Sequence, residues 1–329
     1  RMTELKMAGS ITNFTTTRKN LPAALELVFD AMHNSIMPQD EFDQFKKQMQ
    51  VMIESMRDKP DALAQNAITQ HFNTYPKGDP RYEYSLDESL EQLNKLTVDQ
   101  VRAFYKEFGG TSRGEISIVG DFDPKAVEKI IRDDYAKYVS KAHYAPVVTE
   151  YRPVKATRVV IDTPDKENAI IVARSVFPIN DTAPDAPALT VANWILGGGT
   201  GLSNRLIERL RQKEGLSYGA GSRVRIPAKG DNGSFVFRAI VAPQNMLQAE
   251  ASARDVIAKA IKDGFTDQEV EEAKKGLLQA MQVARSQDDV VARSWNDKME
   301  NQRTWVFSKK HAEAISKLTT ADVNAALRK

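Results

Sequence analysis

The chain repeats itself, and this limits its architecture more than any other feature, because a duplicated segment has to fold twice into the same arrangement. Lys95-Leu96-Thr97-Val98-Asp99-Gln100-Val101 recurs 222 residues later as Lys317-Leu318-Thr319-Thr320-Ala321-Asp322-Val323, and each copy opens a short helix with Thr as N-cap. Upstream, Glu41-Phe42-Asp43-Gln44-Phe45-Lys46-Lys47 has the build of Glu269-Val270-Glu271-Glu272-Ala273-Lys274-Lys275, at an offset of 228. Acidic-then-basic helices are common singly, but two matches in one order at nearly one spacing point to a duplication. The periodicity predicts a helical hairpin in each copy: Leu21 to Asn34 followed by Pro38 to Arg57, and Asn245 to Lys262 followed by Thr266 to Arg285. Pro38 sits near a first turn, and Thr266-Asp267-Gln268-Glu269 reads as a capping box.

Between the hairpins lies β-branched alternation, at Gly114 to Val119, Arg158 to Ile161, Ala169 to Ala173, Tyr218 to Ile226 and Ser234 to Val241. Asp231-Asn232-Gly233 is a turn signal ahead of the last of these. Strands and helices cluster separately rather than alternating, which predicts an α+β fold with a mostly antiparallel sheet and helices on one face. Lys141 to Pro153 interrupts the periodic pattern and reads as a linker, giving a first domain over 1–140 and a second over 154–329. The second copy has far more sequence ahead of its helical hairpin than the first, so the first domain is expected to be N-terminally truncated.

Composition narrows the partners. Lys+Arg number 46 against 44 Asp+Glu, so no field is present that would favour nucleic acid. No apolar run approaches the roughly 18 residues of a membrane span, and Arg1 to Lys6 lacks the build of a signal peptide, so a membrane is not an expected partner either. The absence of cysteine excludes disulfides, thiolate metal sites and a cysteine nucleophile.

Leu196-Gly197-Gly198-Gly199-Thr200-Gly201-Leu202-Ser203-Asn204-Arg205-Leu206 runs on through Ile207-Glu208-Arg209-Leu210-Arg211-Gln212-Lys213-Glu214-Gly215-Leu216-Ser217-Tyr218. This stretch resembles the second-domain signature of the pitrilysin/insulinase zinc proteases: a small-residue turn, a helix, then Leu-Arg-x-Lys-x-Gly-Leu-x-Tyr entering a strand. Val119-Gly120-Asp121-Phe122-Asp123, the Lys-Leu-Thr helices and the duplication follow the family's order. The resemblance implies a LuxS/pitrilysin-like metalloprotease fold in which two halves close around a peptide, with zinc held by H-x-x-E-H and a further Glu. It also implies that Arg211 and Tyr218 are substrate-binding, donating to the scissile carbonyl and its developing oxyanion.

The zinc motif needs two imidazoles four residues apart on one helical face, with Glu between them to activate water. The only histidines are His33, His71, His143 and His311, no two within a helical turn of one another. The family's further Glu also lacks its match, since Val51-Met52-Ile53 stands ahead of Asp58-Lys59-Pro60 and Glu54 is shifted from the needed place. The expectation is therefore an inactive half with no catalytic residue and no metal ligand of its own. Its zinc-bearing catalytic half would lie in the same parent chain or in a partner subunit, and the parent would be a periplasmic zinc metalloendopeptidase by resemblance. The alternative is a purely structural or interaction subunit. Gly197 to Gly201 is read as a tight turn rather than a phosphate loop, because no Gly-Lys-Ser/Thr follows. Arg223 and Arg225 alternate on one strand face and are read as solvated, with lining of a peptide chamber as the other reading.

Overall fold

The computed structural model describes residues 5–8, 11–199 and 204–329. They form two compact units, each discontinuous in sequence: Arg1–Met49 with Gln92–Pro146 and Ala284–Thr304, and Gln50–Glu91 with Val147–Val283 and Trp305–Lys329. Residues 50–91 lie inside the sequence block 1–140 yet cluster with the second unit, the chain crossing over within the long helix Gln39–Met56.

In the first unit, β1 (Leu5–Ala8) pairs antiparallel with β2 (Ile11–Phe14). Helix α1 (Leu21–His33) follows, and then the start of α2 (Gln39–Met56). The core here is small, with Leu21, Leu25 and Val127 buried and Ile118, Phe122 and Ile130 packed around them. Buried Tyr135 donates its hydroxyl to the carbonyl of Leu25 at 2.7 Å, and burial pushes its phenol up to about 12.

In the second unit come α3 (Pro60–His71) and most of α4 (Leu86–Lys95). The first unit resumes with α5 (Val98–Phe108) and α6 (Pro124–Asp133). In the second unit β3 (Ala169–Pro178), β4 (Ser217–Arg225) and β5 (Asn232–Val241) form an antiparallel sheet in the order β3–β5–β4. Along β5, Phe237, Ala239 and Val241 are buried against the core while Arg238 points to the opposite face, where α3 lies against β3. Helix α7 (Ala186–Asn193) continues as a π-helix over Trp194–Gly198, and α8 (Arg205–Ile207) as another over Glu208–Lys213. Val191, Leu206 and Leu210 from this segment are fully buried against the sheet, with Ala253 of α9 (Met246–Asp263) and Val270 and Leu277 of α10 (Asp267–Ala284). After α11 (Asp288–Glu300), α12 (Trp305–Lys317) and α13 (Thr320–Arg328) add Ile315 and Val323 to the same core. None of the helices among the described residues is long and apolar enough to cross a membrane.

The α+β class with an antiparallel sheet is the one predicted, and both Lys-Leu-Thr segments open helices through capping boxes: Thr97 with Gln100, and Thr319 with Asp322. Two predicted strands do not form. Gly114 to Val119 and Arg158 to Ile161 are described without strand pairing, and Ile116, Val159, Val160 and Ile161 stand exposed. Alternation supplies a surface fit for a sheet, but a strand exists only when a second backbone edge takes its hydrogen bonds.

Candidate functional site

The site is built where the glycine turn, the helix after it and β4 meet. Gly197 approaches β4 so closely that a Cβ there would lie 2.6 Å from the amide nitrogen of Ser222 and 2.7 Å from Leu206, so only glycine fits. Asn193 secures the approach by accepting from Ser222 Oγ at 2.9 Å. Gly197, in the π-helix Trp194–Gly198, thus serves close packing, and residues 200–203 of the predicted turn fall outside those described. Asn204 is the N-cap of the next helix, its side chain accepting from the amide of Ile207 at 2.9 Å.

That helix turns Leu206 and Leu210 inward and leaves Arg211 exposed. Its neighbouring charges are paired, Arg209 with Glu214 and Lys213 with Glu208. Arg211 forms no ion pair or side-chain hydrogen bond among the described residues. The amide of Leu216 donates to the carbonyl of Leu210 at 2.8 Å, closing the helix, and Gly215 supplies the left-handed turn at φ 64° that leads into β4.

Tyr218 sits in a β-bulge: Ser217 is in register with Val241 and Gly219 with Ile240, so Tyr218 is the extra residue. Ser217 fills the irregularity, its Oγ lying 2.9 Å from the Ile240 carbonyl and accepting from the Gly219 amide at 3.1 Å. Tyr218 is 66% exposed although its neighbours Ser217 and Leu216 are buried. Bulges re-aim single side chains, and the structure offers this phenol to solvent without a partner among the described residues. A guanidinium and a phenol placed this way are two hydrogen-bond donors available to an outside acceptor.

The donor sets of the histidines do not fit zinc. His33 ends α1 stacked on Phe29, and His71 ends α3 with its Nε2 2.8 Å from the Lys155 carbonyl. His311 lies in α12, where burial lowers its pKa against the pull of Asp181. Among the described residues no three His, Asp or Glu side chains come together as a metal site, and Glu54 is exposed on α2.

The sequence reading ended β3 at Ala173; the strand continues to Pro178 and carries Arg174 on the face turned from the core. The sign was present in the period of two through Ile170, Val172 and Arg174.

Residues 95–277 match the family model described as the peptidase M16 inactive domain. An uncharacterized zinc protease of Mycobacterium tuberculosis (strain ATCC 25618 / H37Rv) is 25% identical over 94% of this chain and 69% of its own length. The crystal structure of a peptidase M16 inactive domain from Pseudomonas fluorescens superposes with a TM-score of 0.81, at 22% identity, over 94% of this chain and 72% of that one. A protease from Helicobacter pylori gives 0.74 at 18% identity, over 95% and 74%. The solved structures share its fold, and the family model, which spans more than half of the chain, places it in the peptidase M16 family, as an inactive domain.

Proposed function

We propose that this chain is the non-catalytic half of a zinc metalloendopeptidase: it encloses a peptide and supplies Arg211 and Tyr218 as donors to the substrate carbonyl and its oxyanion. The zinc and the activated water belong to a separate half, in the same parent chain or a partner subunit, working in the periplasm. The observation that carries this reading is Tyr218, which a bulge exposes in a segment where Leu216, Ser217 and Ala220 are buried. Such exposure costs apolar burial and gains the chain's own core nothing, which suits a group that meets its partner only when substrate arrives.

The test is peptide turnover by the assembled enzyme carrying Tyr218→Phe or Arg211→Gln. Loss of one donor aimed at developing negative charge costs about 100-fold in kcat, and both variants keep the wild-type melting temperature because neither side chain packs in the core. Turnover equal to wild type in both variants refutes the donor role and leaves a structural or interaction subunit as the reading.

A further inference from the structure

The face of the second unit's sheet turned from its core, packed by α3 at β3 and exposed along β4 at Arg223 and Arg225, carries guanidinium groups that form no ion pair among the described residues. Arg174 on β3 and Arg223 on β4 are both in register with Val236, one from either side, so they share a row across the sheet. Arg225 follows on the same face, in register with Ser234. Arg238 lies in the neighbouring row and is paired, donating to Asp61 of α3 at 2.8 Å. Arg174, Arg223 and Arg225 make no ion pair among the described residues.

Arg174 is the most constrained. Its guanidinium lies over the Phe72 ring at 4.8 Å, and its Nε is buried with no hydrogen-bond partner. Burial pushes its pKa down and the charge of Arg225 pushes the same way, with Glu83 pulling against them. A buried donor without an acceptor is costly, and so are neighbouring like charges. An anion on this face relieves the repulsion between Arg174 and Arg225.

We propose that the face bearing Arg174, Arg223 and Arg225 binds carboxylate side chains of an acidic peptide. Guanidiniums match carboxylates as two-pronged donors. Arg174 and Arg223 are two strand spacings apart, roughly 10 Å, which suits several carboxylates along an extended chain better than one compact phosphate. Arg223 and Arg225 also lie on the strand of Tyr218, roughly 17 and 23 Å beyond it. A peptide held near Tyr218 and running along β4 therefore meets these cations with acidic residues five to seven positions from the held carbonyl. The assignment rests on the reading that the chain encloses a peptide.

The experiment measures anisotropy of two labelled peptides on the whole chain at low ionic strength, one with glutamate at alternate positions and one with glutamine instead. The glutamate peptide binds about tenfold tighter, the equivalent of one net charge-assisted contact, and raised salt shrinks the ratio. Arg223→Gln with Arg225→Gln, both exposed and harmless to folding, brings the ratio below about threefold, and adding Arg174→Gln brings it to about one. Equal binding of the two peptides overturns the proposal, as does a ratio unchanged in the variants. Inorganic phosphate provides the other arm: phosphate binding that needs Arg174, with no glutamate preference, overturns the peptide assignment in favour of a phosphate site. No glutamate preference in the wild-type chain, alongside an intact Tyr218→Phe turnover defect, sinks this surface alone. An intact preference with no such defect sinks the donor role alone.

Discussion

The two copies of the repeat share a clamp and differ in what lies beneath it. Lys46 on α2 donates its Nζ to the carbonyl of Leu96 at 2.9 Å, and Lys274 on α10 donates to the carbonyl of Leu318 at 2.8 Å. In both copies the acceptor is the residue just ahead of the capping Thr, so the duplication read from sequence reappears as one side-chain contact made twice. Burial differs. Helix α10 buries Val270, Ala273 and Leu277, whereas α2 buries only Ile53 and exposes Phe45 and Val51. The second Lys-Leu-Thr helix has Val323 at 0% exposure, and the first shows Phe104 at 64%. Helix ends and clamps follow local sequence and recur wherever it recurs; burial needs a sheet, and among the described residues the second copy has three paired strands where the first has two.

The widest gap between the copies should be in packing. Leu210→Ala, at a site with no solvent exposure, costs about 3–5 kcal/mol because the surrounding core cannot collapse onto the space. Phe104→Ala, exposed in the first copy, costs less than about 1 kcal/mol. Denaturant midpoints measure both, and similar losses would show that the first copy's helices are supported as firmly as the second's.

What the sequence disclosed divides along the same line. The helical hairpins, the N-caps at Thr97 and Thr319 and the capping box at Thr266 were legible, because caps are decided by residues a few positions apart. The pairing of strands was not. Val159 and Val160 have the same β-branched character as Ile170 and Ile171, yet only the latter find a partner strand. At the candidate site, the Leu-Arg-x-Lys-x-Gly-Leu-x-Tyr pattern pointed to Arg211 and Tyr218, but the bulge that exposes Tyr218 depends on its register against β5, which no local pattern encodes. Arg174 went unread because the strand's end was judged from β-branched residues alone.

The clamps themselves give a second comparison. Lys274 is buried, and its Nζ also reaches Glu271 at 2.7 Å. Lys274→Met keeps the aliphatic stem but leaves the Leu318 carbonyl without its donor, at a cost of about 2 kcal/mol. Lys46→Met, in a wetter setting where water replaces the ammonium, costs less than about 1 kcal/mol. If the order in urea midpoints were reversed, burial would not be what separates the copies.

The smallest effect concerns charge at the start of the second long helix. Glu269 accepts from the Thr266 amide at 2.8 Å and from Arg205 Nε and Nη2 at 2.6 and 2.7 Å. Glu41, its counterpart in the first copy, makes no ion pair among the described residues. Burial by itself raises the Glu269 carboxyl, but the hydrogen bonds from Arg205 and Thr266 outweigh it and hold the group below its ordinary 4.5. A carboxylate with a depressed folded-state pKa contributes its full stability above the unfolded value, and loses it as pH falls through the folded one. Glu269→Gln should therefore lower stability by about 1 kcal/mol at pH 7, and the gap from wild type should close as the pH drops below 4.5. Glu41→Gln should leave the urea midpoint unchanged over the same range, since its carboxylate gains no partner on folding. A gap at Glu269 that stayed constant down to strong acid would mean the substitution acts through packing, and the copies would then differ in shape alone rather than also in charge.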